Sequence, residues 1–334
     1  MSFTLKVWEH CRYVENREHP YDEMVRNLET LAKAGIRQTD IYMPEVISLD
    51  DYCRAASAAG VSVEARVFPA WNVADPVNRT LLESELQEME ERFGIRLAKT
   101  CGNNPHNREA FLKALDAFAA EYAGRIVGIQ LDFIRNDNAL LLMDYPCRCD
   151  ACRALCRRYL GVEVPDRTML QSPAVLYKFL EIRNANVRKT LAEARRITAR
   201  HGLTLSIAAR ANYINAPDIT DAPVWGLGPA VLEGQDWVEW AEDGLVDVVN
   251  TMNYHTDLTL YKNVLDDHVR LMDGRLNMLQ EGIGISSSMG EITPEGASKR
   301  LALLRDAGLP GAAFFNKTNR YSQAFLDVFR EFAD

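Results

Sequence analysis

Along this chain, short apolar stretches with period-two alternation are followed by longer stretches with helical periodicity. The candidate strands are LKVWEH (5–10), IRQTDIYMP (36–44), VSVEARVFP (61–69), RIVGIQLDFIR (125–135), LTLSIAARANY (203–213), LVDVVNTMNYH (245–255), RLNMLQEGIGIS (275–286) and GAAFFNKT (311–318). Helical stretches such as YDEMVRNLETLAKAG, LDDYCRAASAAG and NREAFLKALDAFAAEYAG lie between them, each ending in the glycine that favours a left-handed C-terminal cap. Strict β–α alternation predicts a parallel sheet covered by helices. Eight units suffice to close it, so the expected fold is a (β/α)8 TIM barrel forming one domain over residues 1–334.

The alternation also assigns faces. In the third strand Val61, Val63, Ala65 and Val67 oppose Ser62, Glu64 and Arg66; in the fourth, Ile129, Leu131 and Phe133 oppose Gly128, Gln130 and Asp132. A barrel strand turns apolar residues toward its helices and can point polar ones inward near the mouth. An open doubly wound sheet would bury both faces and favour continuous apolar runs.

Three connections are long: 69–106, with the helical LLESELQEMEERFG, 136–173, and the Pro/Gly-rich 211–234. All follow strands, which puts them on the face where barrels build their sites. The 334 residues alone would also accommodate two domains, so the surplus is read as loops. Hydrophobic content of 47% and charged content of 25% describe an ordinary globular chain. The net charge of −9 argues against a nucleic-acid partner. No apolar run approaches the roughly 20 residues of a membrane span. No signal peptide is legible in MSFTLKVWEHCRYVE, so a cytoplasmic location is expected.

Seven cysteines, an odd number, suit thiols in a reducing compartment. Cys147, Cys149 and Cys152 fall within six positions ahead of a helical stretch, and three thiolates so spaced can converge on one zinc ion. The fourth ligand is either Cys156, one helical turn on, or Cys101 from the other long loop. With Cys101 the metal would staple two loops, leaving Cys11, Cys53 and Cys156 as thiols. Four thiolates leave no open position, so the zinc is expected to be structural.

TCGNNPHNREAF (100–111) and CRCDACRALCRRYLG (147–161) together resemble the paired cysteine segments of glycoside hydrolase family 42 β-galactosidases, which bind zinc. VGIQLDFIR (127–135) and GQDWVEWAEDGLVDVVNTMNYHTD (234–257) resemble strand-four and strand-six segments of glycoside-hydrolase-like barrel families. The resemblance covers the middle half of the chain. It implies zinc on Cys101, Cys147, Cys149 and Cys152, and a glycosidase acting on a small sugar or oligosaccharide. The chain departs from family 42 where that family has an Asn-Glu pair ending strand four. Here Asp132, Phe133, Ile134 and Arg135 stand.

Glycoside hydrolysis ordinarily uses two carboxyl groups. Asp132 is the first candidate: an inward carboxylate at the end of an apolar strand, whose alternative is a salt bridge to Arg66 or Arg210. Glu281, placed at the end of the seventh strand, is the expected partner, with Glu64 and Asp40 behind it. Substrate contacts are expected from Glu64, Arg135, Arg210, Asn253, Tyr254, His255, Lys317 and Trp71. Trp237 and Trp240 are read as helix packing, and His10 with His255 as a weak metal pair. His19, His106, His201 and His268 are read as surface or capping residues. Two other functions fit the same barrel: a sugar-derivative lyase or isomerase using Lys317 or His255, and a carbohydrate-binding barrel without turnover. The expected partner is a carbohydrate, with no nucleic acid or membrane, and a homo-oligomer is compatible with the sequence.

Overall fold

The computed structural model describes residues 3–10, 14–42, 46–94, 100–136, 145–214, 229–318 and 320–333. The described residues contain nine strands: β1 (Thr4–His10), β2 (Ile36–Tyr42), β3 (Ser62–Val67), β4 (Gly128–Leu131), β5 (Thr204–Ala209), β6 (Val248–Thr251), β7 (Leu279–Ser287), β8 (Gly290–Glu291) and β9 (Gly311–Asn316). Strands β1 to β7 pair in sequence order, β7 pairs with β9, and β9 returns to β1, every pairing parallel. The eight-stranded barrel is therefore closed, as the alternation predicted. Strand β8 is an addition, a two-residue antiparallel hairpin on the end of β7.

Helices cover the barrel: α1 (Pro20–Lys33), α2 (Leu49–Ala59), α3 (Glu83–Phe93), α4 (Pro105–Tyr122), α5 (Asp150–Leu160), α6 (Pro173–Arg200), α7 (Trp237–Glu242), α8 (Leu258–Leu271), α9 (Pro294–Asp306) and α10 (Gln323–Phe332). Their apolar spacing sets which face they bury. In α1, Met24, Leu28 and Leu31 fall on one stripe and are all buried. Local signals fix the ends: Ser48 accepts from Asp51 N–H to start α2, and Gly60 stops it in the left-handed region (φ 73°). Two of the long connections carry helices of their own, α3 after β3 and α5 after β4. No described helix is long and apolar enough to cross a membrane.

The outer strand faces and the helices share one apolar core that includes Val63, Ala65, Val67, Ile129, Leu131, Leu205 and Ile207. The opposite face is polar and equally buried. Along the register, Asp40 lies beside Glu64 and Glu64 beside Gly128, while Tyr42, Arg66, Gln130 and Ser206 follow one another around the next level. Trp237 and Trp240 are buried in the apolar core, as their spacing suggested.

Candidate functional site

The barrel interior is held by charges. Lys6 on β1 pairs with Glu64 on β3 and lies 3.8 Å from Asp40 on β2. Lys6 also donates to Asn250 Oδ1 on β6 at 3.4 Å, a contact that crosses the lumen because β1 and β6 are not neighbours. Arg66 Nε lies 3.2 Å from Asp40 Oδ1, and an Arg66 amino group lies 3.2 Å from His10 Nε2. Burial costs an ionised carboxyl group its hydration. For Asp40 that cost outweighs Arg66 and Lys6 and, with Glu64 and Asp132 adding repulsion, pushes its pKa up to about 7.

Above this layer the chain leaves β4 at Asp132. Its N–H still continues the sheet, donating to Val67 O (2.8 Å), while its side chain is 19% exposed. Asp132 Oδ1 accepts the Phe133 N–H at 2.7 Å and lies 3.8 Å from an Arg135 amino nitrogen. Arg135 Nε is 3.4 Å from Glu233 Oε2, which also accepts from Arg210 Nε at 2.8 Å. Asp132, Arg135, Glu233 and Arg210 thus form an alternating row of charges across the ends of β4 and β5.

Aromatic rings line the neighbouring strand ends. Tyr254 stacks on Phe315 (centroids 5.2 Å apart) and meets Trp8 edge-on at 6.0 Å. Tyr42 stacks on Phe68 at 5.7 Å, and His10 lies between the groups, 5.9 Å from Tyr42 and 6.5 Å from Phe315. Gly284 makes room for this: a Cβ there would come within 2.9 Å of the Tyr254 side chain. Burial first, and then the negative charge of Asp132, push the Tyr254 hydroxyl well above its usual range, so it keeps its proton.

The expected site residues divide accordingly. Asp132, Arg135, Arg210 and Tyr254 come together at the mouth, with Glu64 below them in the lumen. The alternative salt bridges for Asp132 are not made, since Arg66 pairs with Asp40 and Arg210 with Glu233. Glu281 does not join Asp132. Strand β7 begins only at Leu279, so Glu281 is its third residue rather than its last, and it faces outward. There its fully buried carboxylate accepts from Thr251 Oγ1 (2.6 Å), Asn253 Nδ2 (2.7 Å) and His268 Nδ1 (2.9 Å), the last from α8. His268 is correspondingly not a surface residue but wholly buried.

Asn253 belongs to that outer cluster rather than to the mouth. His255 is buried near α9, where its backbone carbonyl accepts from Arg300 (2.9 Å), and burial lowers its pKa. Trp71 packs edge-on against Phe118 of α4 at 5.2 Å, and Lys317 is exposed past the end of β9. Cys11 lies outside the described residues. Glu233, Phe133 and the aromatic set Trp8, Tyr42, Phe68 and Phe315 were missed. Only their positions at strand ends could have flagged them.

The cysteines converge. Cys101, Cys147, Cys149 and Cys152 are buried, and their sulfur atoms all lie within 4.8 Å of one another. Cys101 Sγ is 3.5 Å from Cys152, 3.6 Å from Cys149 and 3.8 Å from Cys147. Four sulfurs at about 2.3 Å from a tetrahedral zinc would be about 3.8 Å apart, so the donor set fits that ion. Cys156 is elsewhere, packed with Leu170 and Phe179. The fourth thiol is therefore Cys101, and the cluster joins the loop ahead of α4 to the start of α5.

No family model and no curated protein matches the sequence. Solved structures do match the fold. The PgaB (BpsB) glycoside hydrolase domain from Bordetella bronchiseptica superposes with a TM-score of 0.73 at 10% identity, over 99% of this chain and 98% of its own. The chain shares its barrel with glycoside hydrolases. A chitinase from Chromobacterium violaceum (TM-score 0.53, 11% identity, 99% of each chain) has the same architecture. So does an endo-1,4-beta-D-mannanase from Thermotoga petrophila (TM-score 0.53, 12% identity, 100% of this chain and 99% of that one). At these identities the likeness is one of fold.

Proposed function

We propose that this chain is a glycoside hydrolase that cleaves an oligosaccharide at the C-terminal mouth of its barrel, with Asp132 as the catalytic carboxyl group. The observation that carries this reading is the partly exposed Asp132 side chain at the end of β4, beside a mouth lined by Tyr254, Phe315, Tyr42 and Phe68. Aromatic rings suit the apolar C–H faces of sugars, and the charged row through Arg135, Glu233 and Arg210 offers hydrogen bonds to hydroxyls. Hydrolysis breaks the bond between the anomeric carbon and the leaving oxygen, delivers a proton to that oxygen and adds hydroxide from water to the carbon. An acid and a base of different proton affinity are needed. Asp132 is the described carboxyl group placed to supply one of them, while Asp40, fully buried against Arg66 and Lys6, feels its charge from beneath the mouth. Incubation with a panel of oligosaccharides, with the reducing ends released read by chromatography, tests the reading. Cleavage that disappears in Asp132→Asn supports it, and cleavage that persists removes Asp132 from the chemistry. Binding without cleavage of any panel member would favour a carbohydrate-binding barrel.

We further propose a structural zinc ion on Cys101, Cys147, Cys149 and Cys152. Support comes from the sulfur separations and from the four ligands leaving no position open for substrate. Zinc there neutralises thiolates that would otherwise repel one another and ties together the two loops that flank the strand carrying Asp132.

A further inference from the structure

Among the described non-glycine residues, Asn72, Asp75 and Phe133 have positive φ. Asparagine and aspartate tolerate the left-handed region through short polar side chains, whereas a bulky side chain there is strained. Phe133 adopts φ 54° immediately after Asp132. Strain of this kind persists only where the surroundings impose it, and it clusters at functional sites. Burial does not supply the compensation, because Phe133 is 54% exposed.

Its ring is nonetheless held in place. The Arg135 guanidinium lies 4.4 Å from the ring centroid, and the same guanidinium reaches Asp132 (3.8 Å) and Glu233 (3.4 Å). The Asp132 carboxylate accepts the Phe133 N–H. One ring, fixed from two directions, therefore stands next to the partly exposed carboxylate with much of its apolar surface in solvent.

We propose that Phe133 is a substrate-stacking, specificity-determining residue that receives a neutral pyranose unit beside Asp132; this rests on the reading of Asp132 as the site of cleavage. A pyranose with equatorial substituents presents axial C–H bonds on its faces, and these pack on an aromatic ring. An axial hydroxyl interrupts such a face. Phe133 thus selects oligosaccharides of equatorial pattern.

The test is isothermal titration of cellotetraose, chitotetraose and mannotetraose into Asp132→Asn protein, so that the probe is not consumed, with Phe133 intact or changed to Gly or Trp. Cellotetraose or chitotetraose should bind more tightly than mannotetraose, whose units carry an axial hydroxyl. Phe133→Gly should weaken the tighter complex roughly tenfold or more, while Tm rises because glycine adopts positive φ without strain. Phe133→Trp should retain affinity. Opposite signs for stability and affinity, with rescue by Trp, are what a merely structural phenylalanine does not give. Unchanged affinity in Phe133→Gly, a fall in Tm together with affinity, or no binding of any tetramer overturns the proposal. Binding that depends on Phe133 in a protein whose wild type never cleaves its ligand retains the stacking role and removes the catalytic one from Asp132.

Discussion

His268 has both ring nitrogens against acceptors: Nδ1 faces the Glu281 carboxylate, and Nε2 lies 2.6 Å from the carbonyl of Ala211. A doubly protonated ring donates to both, and the Glu281 carboxyl group beside Nδ1 favours that form. Burial lowers its pKa, but the charge and hydrogen bonds of Glu281 outweigh it, and the net shift is upward from 6.5. The pair's contribution to stability is therefore complete below pH 6.5 and is lost as pH rises through the elevated folded value. Urea unfolding at pH 6 should show Glu281→Gln destabilised by about 3–5 kcal/mol, the cost of stranding a buried charge. The gap should narrow at higher pH; a constant gap would mean a neutral ring. Asp40 gives a second, lower window. Its carboxyl group rises from 3.8 unfolded to about 7 folded, so the fold loses stability as pH climbs between those values. Asp40→Asn should flatten that slope in a series of urea midpoints, and an unaltered slope would contradict the raised value.

At the scale of elements, strand existence and order were legible because polar and apolar positions alternate cleanly and each βα unit carries its own cap signals. Glu64, Arg66 and Asp132 were assigned to the interior for the same reason. The start of β7 was not legible. A short 3-10 turn at Leu276–Met278 precedes it, and nothing in RLNMLQEGIGIS marks where extended backbone begins, so Glu281 was expected at the wrong end of the strand. Glu233 and the aromatic set escaped notice because only barrel closure brings separate strand ends together. The cysteine cluster was legible in two steps: spacing brought three of its thiols together, the resemblance implied Cys101, and the fold settles Cys101 over Cys156 as the fourth member. If zinc joins these loops, metal analysis of protein purified without chelator should find about one equivalent per chain. Cys101→Ser should lower that content and the Tm together, with little effect on the barrel's far-ultraviolet dichroism. Less than a tenth of an equivalent in the wild-type protein would end the zinc proposal.

For the whole molecule, closing the sheet turns a list of polar residues into two environments. Inside, Lys6, Asp40, Glu64 and Arg66 balance one another beneath the mouth. Outside, Glu281 and His268 pin α8 to the barrel wall. A mutation of Glu281 should therefore act through stability and a mutation of Asp132 through turnover, although the sequence made the two look like partners. The most direct measurement is the turnover of Asp132→Asn on an oligosaccharide that the wild-type chain cleaves, with Tm recorded alongside. A loss of roughly three orders of magnitude or more is expected, with Tm little changed. Turnover within a few-fold of wild type in a folded Asp132→Asn protein would contradict it.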